Sequence, residues 1–336
     1  LKSGKPREAS KHLESLSDEL ENLHHTATKY GLGERVAELR TRWEKLHEKT
    51  SQRLTSSAPE SITSPSRLSI EYTDIEKEEI IGSGGNADVY RATVPTKDGE
   101  LTVAVKEPRM SGTLQKETVE RMMEEAETWQ RLDDHDHIVS VIDYGSEPLP
   151  WIAMEYMDAG HVGEKADKMG FEQSLWTAIA TTKAVRHAHR RGVAHLDLKP
   201  ENVLFRTSED GWDIPKVADW GLSKHLLKHS KSVEGLSPQY AAPEQFEKSY
   251  GEADDITDVY QLGAVFYELF TGRPPFEGSH LEVMNSIQNE EPTPPSELNP
   301  DVDGNLDSIL LKALAKEKED RYETVVNLRN DLQRLI

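Results

Sequence analysis

Three residues able to act together crowd into one short run of the chain. In His195-Leu196-Asp197-Leu198-Lys199-Pro200-Glu201-Asn202, an aspartate, a lysine two residues on and an asparagine five residues on stand close enough to act together. Asp197 can accept a hydroxyl proton or orient the hydroxyl. Lys199 can neutralise a phosphoryl group in transit. Asn202 supplies a neutral oxygen of the kind a hard divalent cation such as Mg²⁺ accepts. Asp219, in Asp219-Trp220-Gly221 after the short apolar run Lys216 to Ala218, adds a carboxylate that a metal between two phosphates would need. Alone, such a tripeptide is more often a turn.

Two upstream features bear on the same chemistry. Ile81-Gly82-Ser83-Gly84-Gly85-Asn86-Ala87-Asp88-Val89 lies between strand-like runs, and its glycines let backbone N–H groups approach phosphate oxygens with no Cβ in the way. No Gly-Lys-Ser/Thr closes it, so it is not a Walker loop. Val103-Ala104-Val105-Lys106 ends an apolar, β-branched strand on a cation. A carboxylate on the following amphipathic helix can hold that ammonium, and Glu124, Glu125 and Glu127 compete for the role.

These groups need a scaffold. Alternating and β-branched runs occupy residues 80–81, 87–92 and 101–105; a helical pattern covers 114–132; further strands are expected near 138–144 and 151–156; helices dominate beyond 171. A small mainly-β part before a larger mainly-α part predicts an α+β, two-lobe fold. Upstream, Leu13, Leu16, Leu20, Leu23, Ala27 and Tyr30 recur at helical spacing, Gly31-Leu32-Gly33 interrupts, and Val36, Leu39, Trp43 and Leu46 resume it. Two glycines inside one helix would cost roughly 2 kcal/mol relative to Ala, so residues 1–54 are expected to form a helical, coiled-coil-like hairpin. Its apolar stripe should bury against a second copy, making a homodimer through residues 8–54, or against the body of the chain. Residues 55–70, rich in Ser, Thr and Pro, read as a flexible linker.

The chain of 336 residues has no cysteine, which excludes disulfides and thiolate metal sites, and it has no run of 18 apolar residues that could span a membrane. A cytoplasmic location fits both. The first residue is Leu1, so the chain is expected to be trimmed or to start from an unusual codon. The formal net charge is −21; residues 1–67 carry 12 Lys+Arg against 10 Asp+Glu, which leaves about −23 on the remainder. Such a body repels nucleic acid and favours basic partners, although it serves solubility equally well.

Taken in order, the motifs resemble the eukaryotic-type serine/threonine protein kinase family, in a microbial-like form, over roughly residues 71–336. The resemblance implies a bilobal fold, with a β-rich N-lobe over about 71–155 and a helical C-lobe over about 158–336. It also implies transfer of the γ-phosphate of ATP, with Mg²⁺, to Ser/Thr hydroxyls of protein substrates. It assigns Ile81, Gly82, Ser83, Gly84, Gly85 and Val89 to the glycine-rich loop and Lys106 with Glu125 to the strand-lysine and helix-glutamate pair. Ala104 and Leu204 join the nucleotide slot. Met154-Glu155-Tyr156-Met157 resembles the gatekeeper and hinge, where the main chain of Glu155 and Met157 would bond adenine. Asp197 is implied as catalytic base or orienter, Lys199 as its partner, and Asn202 with Asp219 as metal ligands. Ser237 stands where a hydroxyl would bridge the catalytic aspartate and lysine, and Lys199 and Ser237 together favour Ser/Thr over Tyr. Ala242-Pro243-Glu244, Asp258 with Gly263, and Arg321 opposite Glu244 complete the pattern.

Three departures stand out: Ala87 for a third glycine, Trp220 for the usual Phe, and Leu196 for the usual Arg. The last argues against activation by phosphates on Ser230 or Ser232, because the fixed cation that would receive them is absent. A scaffold without catalysis would need a broken Lys106, Asp197, Asn202 or Asp219, and none is broken. A small-molecule kinase would lack Ala242-Pro243-Glu244 and the Asp258 helix.

Overall fold

The computed structural model describes residues 57–84, 87–109, 115–166, 168–208, 211–220 and 237–336. The expected hairpin of residues 1–54, Gly85 and the serines 223, 230 and 232 lie outside them. The chain divides into two units. Of the smaller, residues 1–60 and 208–212, the described part holds one backbone bond, from the Trp212 N–H to the Ser57 carbonyl (2.9 Å). All that follows belongs to the larger, residues 61–207 and 213–336.

Its first part is a five-stranded antiparallel sheet in the order β1-β2-β3-β5-β4, built from β1 (Glu76–Gly84), β2 (Ala87–Thr96), β3 (Gly99–Pro108), β4 (Val141–Gly145) and β5 (Trp151–Glu155). Alternation sets its faces: Ala92, Val94, Val103 and Val105 are fully buried and pack with Ile142, Trp151 and Ala153. Helix α1 (Lys116–Gln130) follows β3 and buries one stripe, Met122, Glu125, Ala126 and Trp129, at the 3–4 spacing of a single helical face. A carboxylate in that stripe needs a partner, because an unpaired buried charge is costly.

The second part is helical. Helix α2 (Val162–Lys165) and α3 (Phe171–His189) lead to the catalytic run, to the short hairpin β6 (Val203–Arg206) and β7 (Ile214–Val217), and then to α4 (Asp255–Thr271), α5 (His280–Asn289), α6 (Pro295–Leu298), α7 (Gly304–Ala313) and α8 (Val325–Gln333). Helix α4 is buried all round from Thr257 to Phe270, the mark of a central core helix. Asp254 caps its start, accepting the Ile256 N–H at 2.9 Å, and Gly272 at φ 77° ends it in the left-handed region. Gly263 lets α7 approach; a Cβ there would lie 2.9 Å from Ala313 Cβ. One apolar cluster runs through both parts and includes Ala104, Met154, Leu198, Val217 and Trp220. The α+β, two-lobe expectation therefore stands. Among the described residues no helix is long and apolar enough to cross a membrane.

The second half of the expected linker is tethered to the body of the chain. Residues 61–70 have no regular secondary structure, yet Ser64, Arg67, Leu68 and Ile70 all hydrogen-bond to the body. Polar composition alone could not reveal that a strand edge and a buried lysine await these residues.

Candidate active site

The cation at the end of β3 sits between two carboxylates. Lys106 Nζ donates to Glu125 Oε1 at 2.6 Å and to Asp219 Oδ1 at 2.5 Å. The buried face of α1 selects Glu125 from the three competing glutamates; Glu127 points instead toward Arg131, 3.9 Å away. Burial acts against the Lys106 charge, but Asp219 and Glu125 overcome it and hold the ammonium protonated far above its usual range. Burial likewise opposes the Asp219 charge, and Lys106 prevails, so this carboxylate stays ionised below the ordinary range.

The run 195–202 is held from beneath by α4. Asp258, fully buried, accepts the N–H groups of His195 (2.8 Å) and Leu196 (2.7 Å) and bonds His189 Nε2 (2.7 Å). Gln261 accepts the Leu198 N–H at 3.0 Å, and Gln245 donates to the Leu196 carbonyl at 2.8 Å. These bonds over-determine a backbone in which Leu196 adopts φ 60° and Asp219 φ 64°, conformations that non-glycine residues seldom take. The His195 ring bonds the Ala218 carbonyl (2.9 Å) and packs on Trp220, which is fully buried and fills the usual Phe position with an apolar ring.

Asp197 faces Lys199 (Nζ to Oδ2, 3.3 Å), and Asn202 Nδ2 donates to the Asp197 carbonyl at 2.8 Å. Burial raises the Asp197 pKa, with Lys199 and His195 pulling it back. Because Asn202 spends its amino group on Asp197, its carbonyl oxygen is the atom left to offer a cation. The Ala218 N–H bonds the Asn202 carbonyl of the main chain at 2.9 Å, which brings Asp219 and Asn202 side by side. One carboxylate and one amide oxygen suit Mg²⁺, which is held by few protein ligands together with phosphates. Among the described residues no cluster of three or more His, Cys, Asp or Glu is placed to hold a metal ion.

Ala104 pairs with Met154 across β3 and β5, and Val89, Met157 and Leu204 belong to the same apolar cluster as these two. Gly82 pairs with Val89 and Gly84 with Ala87 in the β1–β2 ladder, and Ser83 Oγ bonds Asp88 at 2.6 Å, with Arg109 closing over both. Ile81 remains 43% exposed.

Two assignments are narrowed. The Glu155 N–H is given to the Ser140 carbonyl at 2.9 Å, so that donor is not available to a base. Among the described residues Ser237 makes no hydrogen bond to Asp197 or Lys199, which pair with each other; it opens the turn Pro238–Tyr240. Ala242-Pro243-Glu244 is anchored as expected: Arg321 and Glu244 form a two-bond ion pair of 2.7 and 2.8 Å with both side chains fully buried. Gln245, Gln261 and the Glu155 side-chain network escaped sequence reasoning. The one available signal was Lys216, a lysine inside an otherwise apolar strand.

The protein kinase domain model matches residues 75–331. Serine/threonine-protein kinase PknB of Mycobacterium tuberculosis is 34% identical over 291 residues, covering 82% of this chain and 44% of that protein. A probable serine/threonine-protein kinase of Clostridium perfringens is 30% identical over 266 residues, covering 76% of this chain and 37% of that one. The chain thus spans less than half the length of these relatives. In fold it is similar to the kinase domain of PknI from Mycobacterium tuberculosis, with a TM-score of 0.57 and 24% identity over 79% of this chain and 96% of that domain. With its lysine, catalytic run and buried Arg321–Glu244 pair in the family's order, this chain belongs to the protein kinase family, among the bacterial serine/threonine type.

Proposed function

We propose that this chain transfers the γ-phosphate of ATP to serine or threonine hydroxyls of protein substrates. The observation that carries it is Lys106 clamped between Glu125 and Asp219, with Asp197 and Asn202 adjoining. The substrate hydroxyl oxygen bonds to the γ-phosphorus, the bond to the β,γ-bridging oxygen breaks, ADP leaves, and the hydroxyl proton passes to Asp197. Lys106 is held as a permanent cation beside the phosphates, and Lys199 balances charge near the transferred group. Mg²⁺, held by Asp219 and Asn202, would neutralise the phosphate oxygens. Catalysis here is positioning and electrostatics, which suits a site whose charged groups are all fixed by partners.

Substrates with basic residues fit the body's charge. Burial raises the Glu268 pKa, the Tyr240 hydroxyl that bonds it at 2.5 Å pulls it back, and the nearby Glu201 carboxylate adds to the rise. Glu164 lies exposed beside His161. The amino-terminal hairpin remains a proposed dimerisation element, and a cytoplasmic site of action is part of the same proposal. Incubation with labelled ATP, Mg²⁺ and a generic basic protein, beside Asp197→Asn, tests the activity. Equal incorporation by both proteins would overturn it.

A further inference from the structure

A segment outside the expected kinase architecture reaches the back of this site. Residues 61–71 are anchored at three places: the end of α1, the bulge of β4, and β7. Arg67 donates to the Gln130 carbonyl and to Asp133 Oδ1, both at 2.9 Å, where α1 ends. A bulge between Val141 and Asp143 leaves Ile142 out of the β4–β5 ladder; its carbonyl accepts the Leu68 N–H at 3.3 Å, and Asp143 accepts the Ile70 N–H at 2.7 Å. At β7, Ser64 Oγ accepts a hydrogen bond from Lys216 Nζ at 2.8 Å.

Lys216 gives the last contact its importance. Its side chain is 0% exposed, it lies on β7 three residues before Asp219, and its ammonium also bonds Glu155 Oε2 at 2.7 Å. Burial lowers its pKa, and Glu155 pulls it back up. Glu155 in turn ends β5, where the chain passes toward Met157. Its carboxylate is shared by Lys216, Arg206 of β6 and the Ser140 N–H (3.3 Å). A buried ammonium has three N–H groups to satisfy, and an acceptor withdrawn from one leaves the others to re-aim. Among the described residues, Glu155 is the bonded side chain that links Lys216 to the end of β5 and so to the hinge.

We propose that residues 61–71 form a strap that positions the hinge for the nucleotide, with Ser64 acting through Lys216 and Glu155. Ser64 is a positioning residue: it lies behind the hinge and touches no reacting atom. Removal of its hydroxyl should therefore weaken ATP binding more than it slows transfer. This inference rests on the phosphotransfer reading, and the two fail differently.

The experiment uses the whole chain, with Ser64→Ala, Ser64→Thr and, as a neighbouring control that makes no side-chain hydrogen bond among the described residues, Ser66→Ala, each assayed well below its melting midpoint. Ser64→Ala is expected to raise the KM for ATP by about three- to tenfold with kcat within about twofold, as the loss of one net hydrogen bond acting indirectly on the hinge predicts. Ser64→Thr, which keeps the hydroxyl, and Ser66→Ala should stay within about twofold of the unchanged chain in both constants. A KM unmoved by Ser64→Ala, a fall in kcat alone, or a Thr variant that behaves like Ala would overturn the strap. If the unchanged chain transfers no phosphate, the proposed activity fails. The strap is then judged by the dissociation constant of a fluorescent ATP analogue, where the same Ser64→Ala shift is required and its absence overturns it.

Discussion

The carboxylate of Asp258 receives the main-chain N–H of Leu196 at 2.7 Å, and Leu196 stands at φ 60°. A helix built into the core thus holds a strained residue one position before Asp197. Leu196 itself is buried and apolar, so it offers no charge to a phosphate on a neighbouring segment.

From this follows the first prediction. Asp258→Asn keeps the shape but replaces a carboxylate that accepts two main-chain N–H groups by an amide whose amino group must face one of those donors. A loss of about 2–4 kcal/mol of unfolding free energy is expected, with a fall in kcat larger than any change in KM, since the strain at Leu196 is no longer opposed. Urea unfolding and initial rates measure the two effects; a variant with unchanged stability would contradict the role given to Asp258.

Lys106 and Glu125 should separate by magnitude. Lys106→Met removes the cation beside the phosphates and is expected to lower kcat/KM by about 10²–10³-fold or more. Glu125→Gln leaves the ammonium paired with Asp219 at 2.5 Å, so its loss should be smaller, on the order of tenfold. Steady-state kinetics of the two variants with intact circular dichroism decide. Equal losses would mean that the α1 contact contributes as much as the charge itself.

Activity should fall with acid at a higher pH than an ordinary aspartate would give. Burial raises the Asp197 pKa, so as pH drops through that raised value Asp197 takes up a proton and can no longer accept one from the substrate hydroxyl. Lys199, 3.3 Å away, opposes the shift. In Lys199→Met the acid limb of the kcat/KM profile is therefore expected to move to still higher pH. A limb that moves down, or stays put, argues that another group controls it.

Stability should also depend on pH through His137. Burial lowers its pKa to about 4, while its ring nitrogen bonds the Pro215 carbonyl at 2.9 Å and Lys183 and Lys216 disfavour further charge. The unfolded chain, with histidine near its ordinary value of about 6.5, binds more protons between that value and 4, so stability falls as pH drops through this window and levels off below it. The full effect is on the order of 3 kcal/mol for this group. Urea midpoints between pH 7 and pH 4 should slope less in His137→Asn than in the unchanged chain; parallel slopes would assign the dependence elsewhere.

The sequence by itself determined the chemistry and the order of the parts. Lys106, Asp197, Lys199, Asn202 and Asp219 are legible because phosphate and metal chemistry needs these residue types at short, local spacings. The β-then-α division is legible because alternation and helical periodicity are local properties of the chain. The tertiary structure alone decided which groups meet across long separations. Glu125 rather than Glu124 or Glu127 reaches Lys106 because only Glu125 shares the buried face of α1 with Met122, Ala126 and Trp129. Gln261 and Gln245 reach Leu196 because α4 and the turn at Pro243 are packed beneath residues 195–202. Ser64, polar in a polar stretch, gives no sign of itself until the sheet places a buried, charged lysine within 2.8 Å of its hydroxyl. A local pattern records what a residue can do; its partner is set by packing that brings together side chains as far apart in sequence as the 152 residues between Ser64 and Lys216.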